Sequence, residues 1–272
     1  MSALRGEGES WGAITIVCGL SNGRGVAAGI DLRVKAEVEI LDEDKVCVES
    51  FVLGRREEIG VKLVESLRDL LRSRYEIKGG IRAKIFSEIP PERGLKSSSA
   101  VSNALVIAAL DAIGERVDEM EILKMSVTLS RMAGITRTGA LDDASASLLG
   151  GICAADSRKM EIIMRKEAPE LPVVLRIPDR RVPTSSVPDL SNSSQRFDEL
   201  FSMAISGRWM EAMLLNGYLM CSLLNYDRKI IDEAISLGAL SASLSGKGPS
   251  FAAICDEPER LLNWGDVVSM LR

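Results

Sequence analysis

Hydrophobic positions in the N-terminal half of the chain recur first with the period of a strand and then with that of a helix. Alternating or β-branched apolar residues predict strands at 13–18, 32–41, 46–52 and 81–89. The glycine-rich stretch 19–29 is predicted to be a loop between the first two strands. Apolar residues near helical spacing predict helices over 57–74, 97–113 and 118–132.

The pattern changes after Gly151, which suggests a second lobe. Apolar periodicity there predicts strands at 161–164, 173–177 and 250–255, and helices at 195–206, 209–224 and 229–237. The stretch 178–194 is rich in Pro, Ser and Arg, and either a lid over the acceptor substrate or an ordinary disordered loop fits it. A second glycine-rich turn follows at 243–248. We therefore predict an α+β fold with lobes at 1–155 and 156–272.

Composition narrows the class of protein. The chain has 272 residues, 46% of them hydrophobic and 27% charged, a balance typical of a globular protein. A net charge of −5 argues against a general nucleic-acid binder, which would show a basic face. The longest apolar run, 104–110, is too short to span a bilayer, and the N-terminus shows no signal-peptide pattern. We therefore expect no nucleic-acid or membrane partner.

The chain contains no histidine. This excludes Ser-His-Asp and Cys-His catalysis and every zinc site that uses histidine. Acid–base chemistry must then use carboxylates, lysine or hydroxyl groups. The five cysteines lie far apart and form no CxxC pair, so they are expected to be buried, reduced thiols of a cytoplasmic protein: Cys18, Cys47, Cys153, Cys221 and Cys255.

One segment has the features of an anion site. It consists of Pro90, Pro91, Glu92, Arg93, Gly94, Leu95, Lys96, Ser97, Ser98, Ser99 and Ala100. The glycine permits unusual backbone angles, and the predicted helix that follows offers free N–H groups and partial positive charge at its start. The alternative is a helix merely capped by Ser97 or Ser98. Neither a Walker A string nor G-x-G-x-x-G occurs in the chain.

Three motifs resemble those of the GHMP kinases, the superfamily of galactokinase, homoserine kinase, mevalonate kinase and phosphomevalonate kinase. The segment 91–100 resembles their phosphate-binding motif, 23–25 their N-terminal motif and 244–250 their C-terminal glycine motif. The resemblance implies an N-terminal lobe like domain 2 of ribosomal protein S5 and a ferredoxin-like C-terminal lobe. It also implies ATP and Mg²⁺ as cofactors, with Gly246 and Gly248 close to ATP.

Further segments resemble the archaeal shikimate kinase branch of that superfamily: 29–32, 94–100, 141–151 and 216–222. This resemblance implies phosphorylation of the 3-hydroxyl of shikimate by ATP, a step of chorismate and aromatic amino-acid biosynthesis. Two positions depart from the branch. Arg24 stands where lysine is more common, and an arginine binds phosphate as a planar fork. Lys247 stands where a small or hydroxyl residue is common.

The resemblance also implies roles for individual residues. Asp142 would face the acceptor hydroxyl, Asp143 would cap a helix or lie near Mg²⁺, and Arg24 would be catalytic. Ser98 and Ser99 would be the Mg²⁺ ligands. A carboxylate is sufficient as base because phosphoryl transfer needs little deprotonation of the nucleophile. The alternative for both aspartates is a purely structural role at a helix N-terminus.

The acceptor site is less defined. Arg137 is a candidate to bind the shikimate carboxylate, although a solvated surface arginine fits the sequence equally well. Asp31 and Asn216 lie in motifs of the resembled branch and are expected to contact the substrate. Two other functions remain open at this point. One is a kinase for homoserine or a mevalonate-type alcohol, and the other is a non-catalytic nucleotide sensor, against which the retention of both aspartates argues. The oligomeric state stays open.

Overall fold

The computed structural model describes residues 4–136, 139–183 and 186–272. These residues form a seven-stranded sheet, a four-stranded sheet and seven α-helices. The first sheet contains β1 (Leu4–Val17), β2 (Arg24–Leu41), β3 (Val46–Val52), β4 (Arg55–Arg56), β5 (Gly80–Ser87), β6 (Ile152–Asp156) and β7 (Glu161–Lys166). The helices of this lobe are α1 (Val61–Tyr75), α2 (Ser97–Ile113), α3 (Glu119–Met132) and α4 (Leu141–Leu149).

Strand β2 organises the first sheet, whose strand order is β4-β3-β5-β2-β6-β7. Its second half pairs with β5 and its first half with β6, while β1 pairs antiparallel along most of its length. Alternate residues of β2 such as Val34, Ala36 and Val38 are buried, as a sheet with one covered face requires. The long strand thereby connects the two halves of the lobe.

Helix α2 lies directly on β1. A Cβ atom at Gly6 would lie 2.2 Å from the backbone nitrogen of Ala112, and one at Gly8 would lie 2.3 Å from the carbonyl oxygen of Ala104. Two glycines on the strand and several alanines on the helix therefore allow the backbones to approach closely. This contact holds α2, and with it the segment before α2, in a fixed position on the sheet.

The second lobe contains the antiparallel sheet β11-β8-β10-β9. Its elements are β8 (Pro172–Arg176), α5 (Ser194–Ile205), α6 (Trp209–Leu224), α7 (Lys229–Ser236), β9 (Ser241–Leu244), β10 (Phe251–Ile254) and β11 (Val267–Met270). Phe197, Phe201 and Phe251 are fully buried in its core. The expected two-lobed α+β fold is confirmed.

The predicted elements differ from the observed ones in several places. β2 begins at Arg24, so of the predicted loop 19–29 only residues 19–23 precede the strand. Strands β4, β6, β9 and β11 were not predicted; β6, for example, is buried at every position and shows no alternation. β7 belongs to the first sheet, so the chain passes to the second sheet between Lys166 and Pro172, after the expected boundary at 155/156.

Candidate active site

A cavity of about 610 Å³ opens where the two lobes meet. Four segments contribute about half of its wall: the loop 18–23 after β1, the segment 90–100, the start of α4 and the turn 244–250. We call 90–100 the phosphate loop and 244–250 the glycine turn. The phosphate-binding motif and the C-terminal glycine motif therefore meet at one cavity, whereas residues 23–25 of the N-terminal motif do not line it.

The phosphate loop is shaped by two residues with positive φ. Gly94 has φ +85°, and a Cβ atom there would lie 2.2 Å from the carbonyl oxygen of Ser245, so only glycine fits. Lys96 has φ +62° and is the N-cap residue of α2, with no side-chain hydrogen bond to the helix. The alternative in which Ser97 or Ser98 is the N-cap is therefore wrong. The start of α2 is available to a ligand in the cavity.

Hydrogen bonds join the glycine turn to the phosphate loop. Ser245 Oγ donates to the carbonyl oxygen of Gly94 (2.8 Å) and accepts from the backbone N–H of Thr15 (3.2 Å). The backbone N–H of Gly246 donates to Thr15 Oγ1 (2.8 Å). Ser250 N–H donates to the carbonyl oxygen of Arg93 (3.2 Å). The C-terminal lobe thus holds the phosphate loop in place through hydrogen bonds from the glycine turn.

Two carboxylates and one ammonium group form the polar end of the cavity. Asp142 and Asp143 lie in the first turn of α4, and Lys96 Nζ lies 3.1 Å from Asp143 Oδ1. These side chains are largely buried, so their interaction is screened little by water. Lys96 therefore connects the phosphate loop to the start of α4.

The two aspartates have different environments. Burial, followed by the neighbouring Asp143, raises the pKa of Asp142 to about 7, and Lys96 opposes this rise. Burial alone would lower the pKa of Lys96, but Asp143 and Asp142 together hold it above its ordinary value. Asp143 thus has a cationic partner at 3.1 Å, and the pKa of Asp142 is raised toward neutral pH by burial and by Asp143.

Cys18 also lines this end of the cavity, but its thiol is not a candidate nucleophile. Burial raises the pKa of Cys18 to about 11, so the thiol is neutral at physiological pH. Its backbone N–H donates to Asn216 Oδ1 (3.0 Å), and Asn216 Nδ2 donates to Ser243 Oγ (3.3 Å). Asn216 is fully buried and holds the loop 18–23 in place without lining the cavity.

The opposite end of the cavity is apolar, a feature that the sequence analysis missed. Its lining includes Ile59, Leu63, Ile89, Val101 and Ile135. Ile59 and Leu63 belong to the periodic pattern that predicted α1, and nothing in that pattern separates cavity residues from core residues. The cavity therefore has a polar end at the aspartates and an apolar end beside α1.

Most of the predicted cofactor-binding residues line the cavity: Pro91, Glu92, Gly94, Lys96, Ser97, Ser98, Ser99 and Gly246. The others lie behind it. Leu95 and Ala100 are buried in the core, and Pro90 is half-buried in the loop. Arg93 forms an ion pair with Asp179 (2.7 Å). Gly248 lies beside the ring of Tyr226.

Two further predicted site residues are not brought to the cavity. Arg24 Nη1 forms an ion pair with Asp198 (2.8 Å), and its guanidinium lies 4.3 Å from the ring centre of Phe201. Asp31 is exposed on β2, in the electrostatic range of the C-terminal Arg272. Neither lines the cavity. Arg137 lies outside the described residues.

The described part of the predicted lid segment lies against the phosphate loop. Val182 N–H donates to the carbonyl oxygen of Glu92 (3.1 Å), and Arg181 Nη2 lies 2.8 Å from Glu57 Oε2. Arg181 and Pro183 contribute to the cavity wall. The described part of this segment therefore packs against the phosphate loop and borders the cavity.

Family models match both lobes of the chain. The model of the N-terminal domain of GHMP kinases matches residues 62–151, and that of their C-terminal domain matches residues 207–263. Together they cover more than half of the sequence. The chain belongs to the GHMP kinase family, and membership of a kinase family implies the use of ATP.

Similar proteins narrow the group within that family. A shikimate kinase from Pyrococcus abyssi is 40% identical over 272 residues, covering 98% of each protein. A shikimate kinase from Pyrococcus furiosus is also 40% identical, over 97% of this chain and 98% of that protein. The chain is thus similar over nearly its whole length to archaeal shikimate kinases.

Solved structures agree on the fold. Homoserine kinase from Cytophaga hutchinsonii superimposes with a TM-score of 0.72 at 19% identity, covering 97% of this chain and 89% of that one. Mevalonate kinase from Methanococcus jannaschii superimposes with a TM-score of 0.71 at 17% identity, covering 100% and 99%. Across the described residues, no helix combines the length and the apolar character needed to cross a membrane.

Proposed function

We propose that this protein phosphorylates the 3-hydroxyl of shikimate with ATP, giving shikimate 3-phosphate and ADP. One structural observation carries the chemistry: the uncapped start of α2 and the carboxylates of α4 face the same cavity and are joined by the ion pair of Lys96 with Asp143. The similarity to archaeal shikimate kinases supports the choice of acceptor.

ATP fits the division of the cavity into an apolar and a polar end. The adenine ring would lie against apolar residues such as Ile59, Leu63 and Val101, which line one end. The triphosphate would lie at the start of α2, where free backbone N–H groups and the helix dipole favour anions. Ser97 and Ser99 line this region and offer hydroxyl groups.

Mg²⁺ fits the site only as a partner of the nucleotide. Among the described residues no cluster of three or more His, Cys, Asp or Glu side chains could hold a metal ion. The hydroxyl groups of Ser98 and Ser99 line the cavity and would contribute protein ligands, as we expected from the resemblance. The ion, when bound, would neutralise charge on the phosphates.

Asp142 would accept the proton of the acceptor hydroxyl. Its pKa of about 7 lies close to the operating pH, where a general base is most effective. Asp143 would keep Lys96 in position. Because no histidine exists in the chain, a carboxylate is the natural base. Arg137 remains our proposal for the residue that binds the shikimate carboxylate.

A substrate comparison tests the proposal. The purified protein should release ADP from MgATP with shikimate as acceptor, and mass spectrometry should identify shikimate 3-phosphate. Turnover with homoserine or mevalonate but not with shikimate would replace the proposed acceptor. ATP binding without turnover of any acceptor would favour a nucleotide sensor. The variant Asp142→Asn controls for contaminating kinases. Activity that comes from the proposed site should fall in this variant, and activity of a contaminant should not.

We also propose that the protein is cytoplasmic. All five cysteines are free thiols in the structure, and four of them are buried. Reduced thiols are the rule in that compartment. Localisation of a tagged protein by cell fractionation would test the assignment.

A further inference from the structure

The loop 18–23 forms the cavity wall beside the carboxylate of Asp142. Three of its residues line the cavity: Cys18, Gly19 and Leu20. A Cβ atom at Gly25 would lie 2.0 Å from Asp142 Oδ2 and 3.2 Å from the backbone nitrogen of Gly19, so the carboxylate and the loop meet at one point. On the proposed function, ATP occupies the apolar end and the start of α2, whereas the acceptor hydroxyl has to reach Asp142. The acceptor would therefore lie against this loop.

Asp198, on α5 of the C-terminal lobe, holds the far end of the loop. Its Oδ1 accepts hydrogen bonds from Asn22 Nδ2 (3.0 Å) and from Arg24 Nη1 (2.8 Å). Asn22 Oδ1 in turn accepts from the backbone N–H of Arg24 (3.0 Å). One carboxylate of the C-terminal lobe thus connects the end of the loop with the start of β2.

The side chain of Arg24 is held by an aromatic ring as well as by this carboxylate. Its guanidinium lies 4.3 Å from the ring centre of Phe201, which is fully buried and lies three residues after Asp198 on α5. Residues three apart lie on the same face of a helix. A planar guanidinium can stack on a ring while it donates to a carboxylate, and a lysine ammonium group cannot reproduce this geometry. The contacts therefore suit an arginine at a position where the resembled branch more often has lysine.

We propose that Arg24 and Asp198 are positioning residues that fix the loop 18–23 and thereby set the affinity for the acceptor. The proposal rests on the proposed kinase function, and it replaces the catalytic role that the resemblance implied for Arg24. The two side chains are 34% and 43% exposed, so their ion pair should contribute little to overall stability. Their effect lies in the placement of the loop, because residues behind a site fix the geometry of those that contact the substrate.

Steady-state kinetics test the proposal, with shikimate and MgATP varied separately in the wild type, Asp198→Ala and Arg24→Met. Both variants should raise the KM for shikimate about tenfold, the effect of losing one hydrogen bond to a charged group. The KM for ATP should stay at the wild-type value, because ATP occupies the other part of the cavity. Arg24→Lys keeps a charge for Asp198 and should raise the KM for shikimate less than Arg24→Met does.

Glu199→Ala is the matched control for Asp198→Ala. It removes an exposed carboxylate from the neighbouring position of α5, where Glu199 accepts from Gln195 Nε2 (3.1 Å). Both of its KM values should equal those of the wild type. Asn22→Ala leaves α5 unchanged and removes the hydrogen bond from the loop to Asp198. It should raise the KM for shikimate, and it tests the proposal even where Asp198→Ala or Arg24→Met fails to fold.

A double-mutant cycle separates a shared positioning role from two independent effects. If Arg24 and Asp198 act through one contact, the protein with both substitutions should show about the same KM for shikimate as either single variant. Thermal unfolding of each variant confirms that the protein is folded under the conditions of the assay. Additive increases in the KM for shikimate would contradict the shared role.

Three kinetic outcomes would overturn the proposal. In the first, Asp198→Ala and Arg24→Met keep the wild-type KM for shikimate. In the second, the KM values for shikimate and ATP rise together, as expected of a general disturbance of the cavity. In the third, Arg24→Met lowers kcat or ATP affinity with an unchanged KM for shikimate, which would return a catalytic role to Arg24.

Failure of the proposed function would look different. It would be seen in the wild type, as a lack of turnover with shikimate before any variant is measured. The same comparison of KM values is then made with homoserine or mevalonate, whichever the wild type phosphorylates. A selective rise in the KM for that alcohol would support the positioning role of Arg24 and Asp198 even though the acceptor had been wrongly assigned.

Discussion

Gly25→Ala should move the carboxylate of Asp142, our proposed catalytic base, without removing it. Gly25 lies in β2, buried against the start of α4. A Cβ atom at this position would lie 2.0 Å from Oδ2 and 2.6 Å from Cγ of Asp142. Because the backbone of Gly25 pairs with Ala155 of β6, the strand is held on the sheet and the side chain of Asp142 has to move.

The size of the displacement follows from these distances. Ordinary contacts of a Cβ atom begin at 3.4 Å, so the gap to Asp142 must widen from 2.0 Å by about 1.4 Å. A misplacement of about 1 Å can reduce the rate by about 100-fold. We expect kcat to fall by about that factor. Overpacking in the core should also lower the free energy of unfolding by about 1–3 kcal/mol.

The assay combines steady-state kinetics with ATP binding and thermal unfolding. The prediction is a low kcat with nearly unchanged ATP affinity, because the atoms nearest the added methyl group belong to Asp142 and Gly19, not to the phosphate loop. Gly12→Ala is the matched control. It also adds a methyl group to a buried strand glycine, but its nearest neighbours are the side chains of Ile30 (3.2 Å) and Ile89 (3.3 Å). Its kcat should stay at the wild-type value.

Coupling to Asp142 provides a second check. If Gly25→Ala acts through the carboxylate, it should cost little further activity in an Asp142→Asn background, and the two effects should be strongly non-additive. A folded Gly25→Ala protein with wild-type kcat would refute the reasoning. So would full additivity of the two substitutions.

Three further predictions concern the same cavity. Asp142, with its pKa raised to about 7 from 3.8, keeps its proton in the folded state where the unfolded chain loses it. The free energy of unfolding should therefore decrease as pH rises from about 4 to 7, and denaturant titrations of Asp142→Asn should lack this decrease. In kinetics, Asp142→Asn should lower kcat at least ~100-fold with ATP affinity retained. Asp143→Asn should lower kcat less than Asp142→Asn does, but it should lower the free energy of unfolding by about 3 kcal/mol, because Lys96 loses its buried partner. A larger loss of kcat in Asp143→Asn than in Asp142→Asn would identify Asp143 as the base. Replacing Ser98 and Ser99 together by alanine should raise the KM for ATP and lower kcat, and wild-type kinetics would remove both hydroxyl groups from the site.

Several features of the protein were determined by local sequence. Helix α2 was predicted over the residues at which it is observed. The reason is that a run of helix-forming residues follows a loop with glycine and small hydroxyl residues. The three motifs indicated the family, and the absence of histidine limited the base to a few residue types. Information of this kind is local, since backbone preferences and short motifs depend on neighbours along the chain.

Strands without alternation were not recognisable in the same way. β6 is buried on both sides and consists mainly of small apolar residues, so its period is lost. The assignment of β6 and β7 to the first sheet depends on pairing with β2, a contact between distant parts of the chain. The sheet boundary was therefore decided by tertiary structure.

The candidate active site likewise combines features set by local sequence with features set by tertiary structure. The sequence identified Lys96 and Asp143 as separate candidates, but only the fold brings them within 3.1 Å. Arg24 had the right charge and the right motif, yet its side chain is held by Asp198, far along the chain. Residue type and motif order thus determined which chemistry is possible. Which side chains share the cavity, and which pKa is shifted, depended on packing, because burial and the distance between charges exist only in the folded protein.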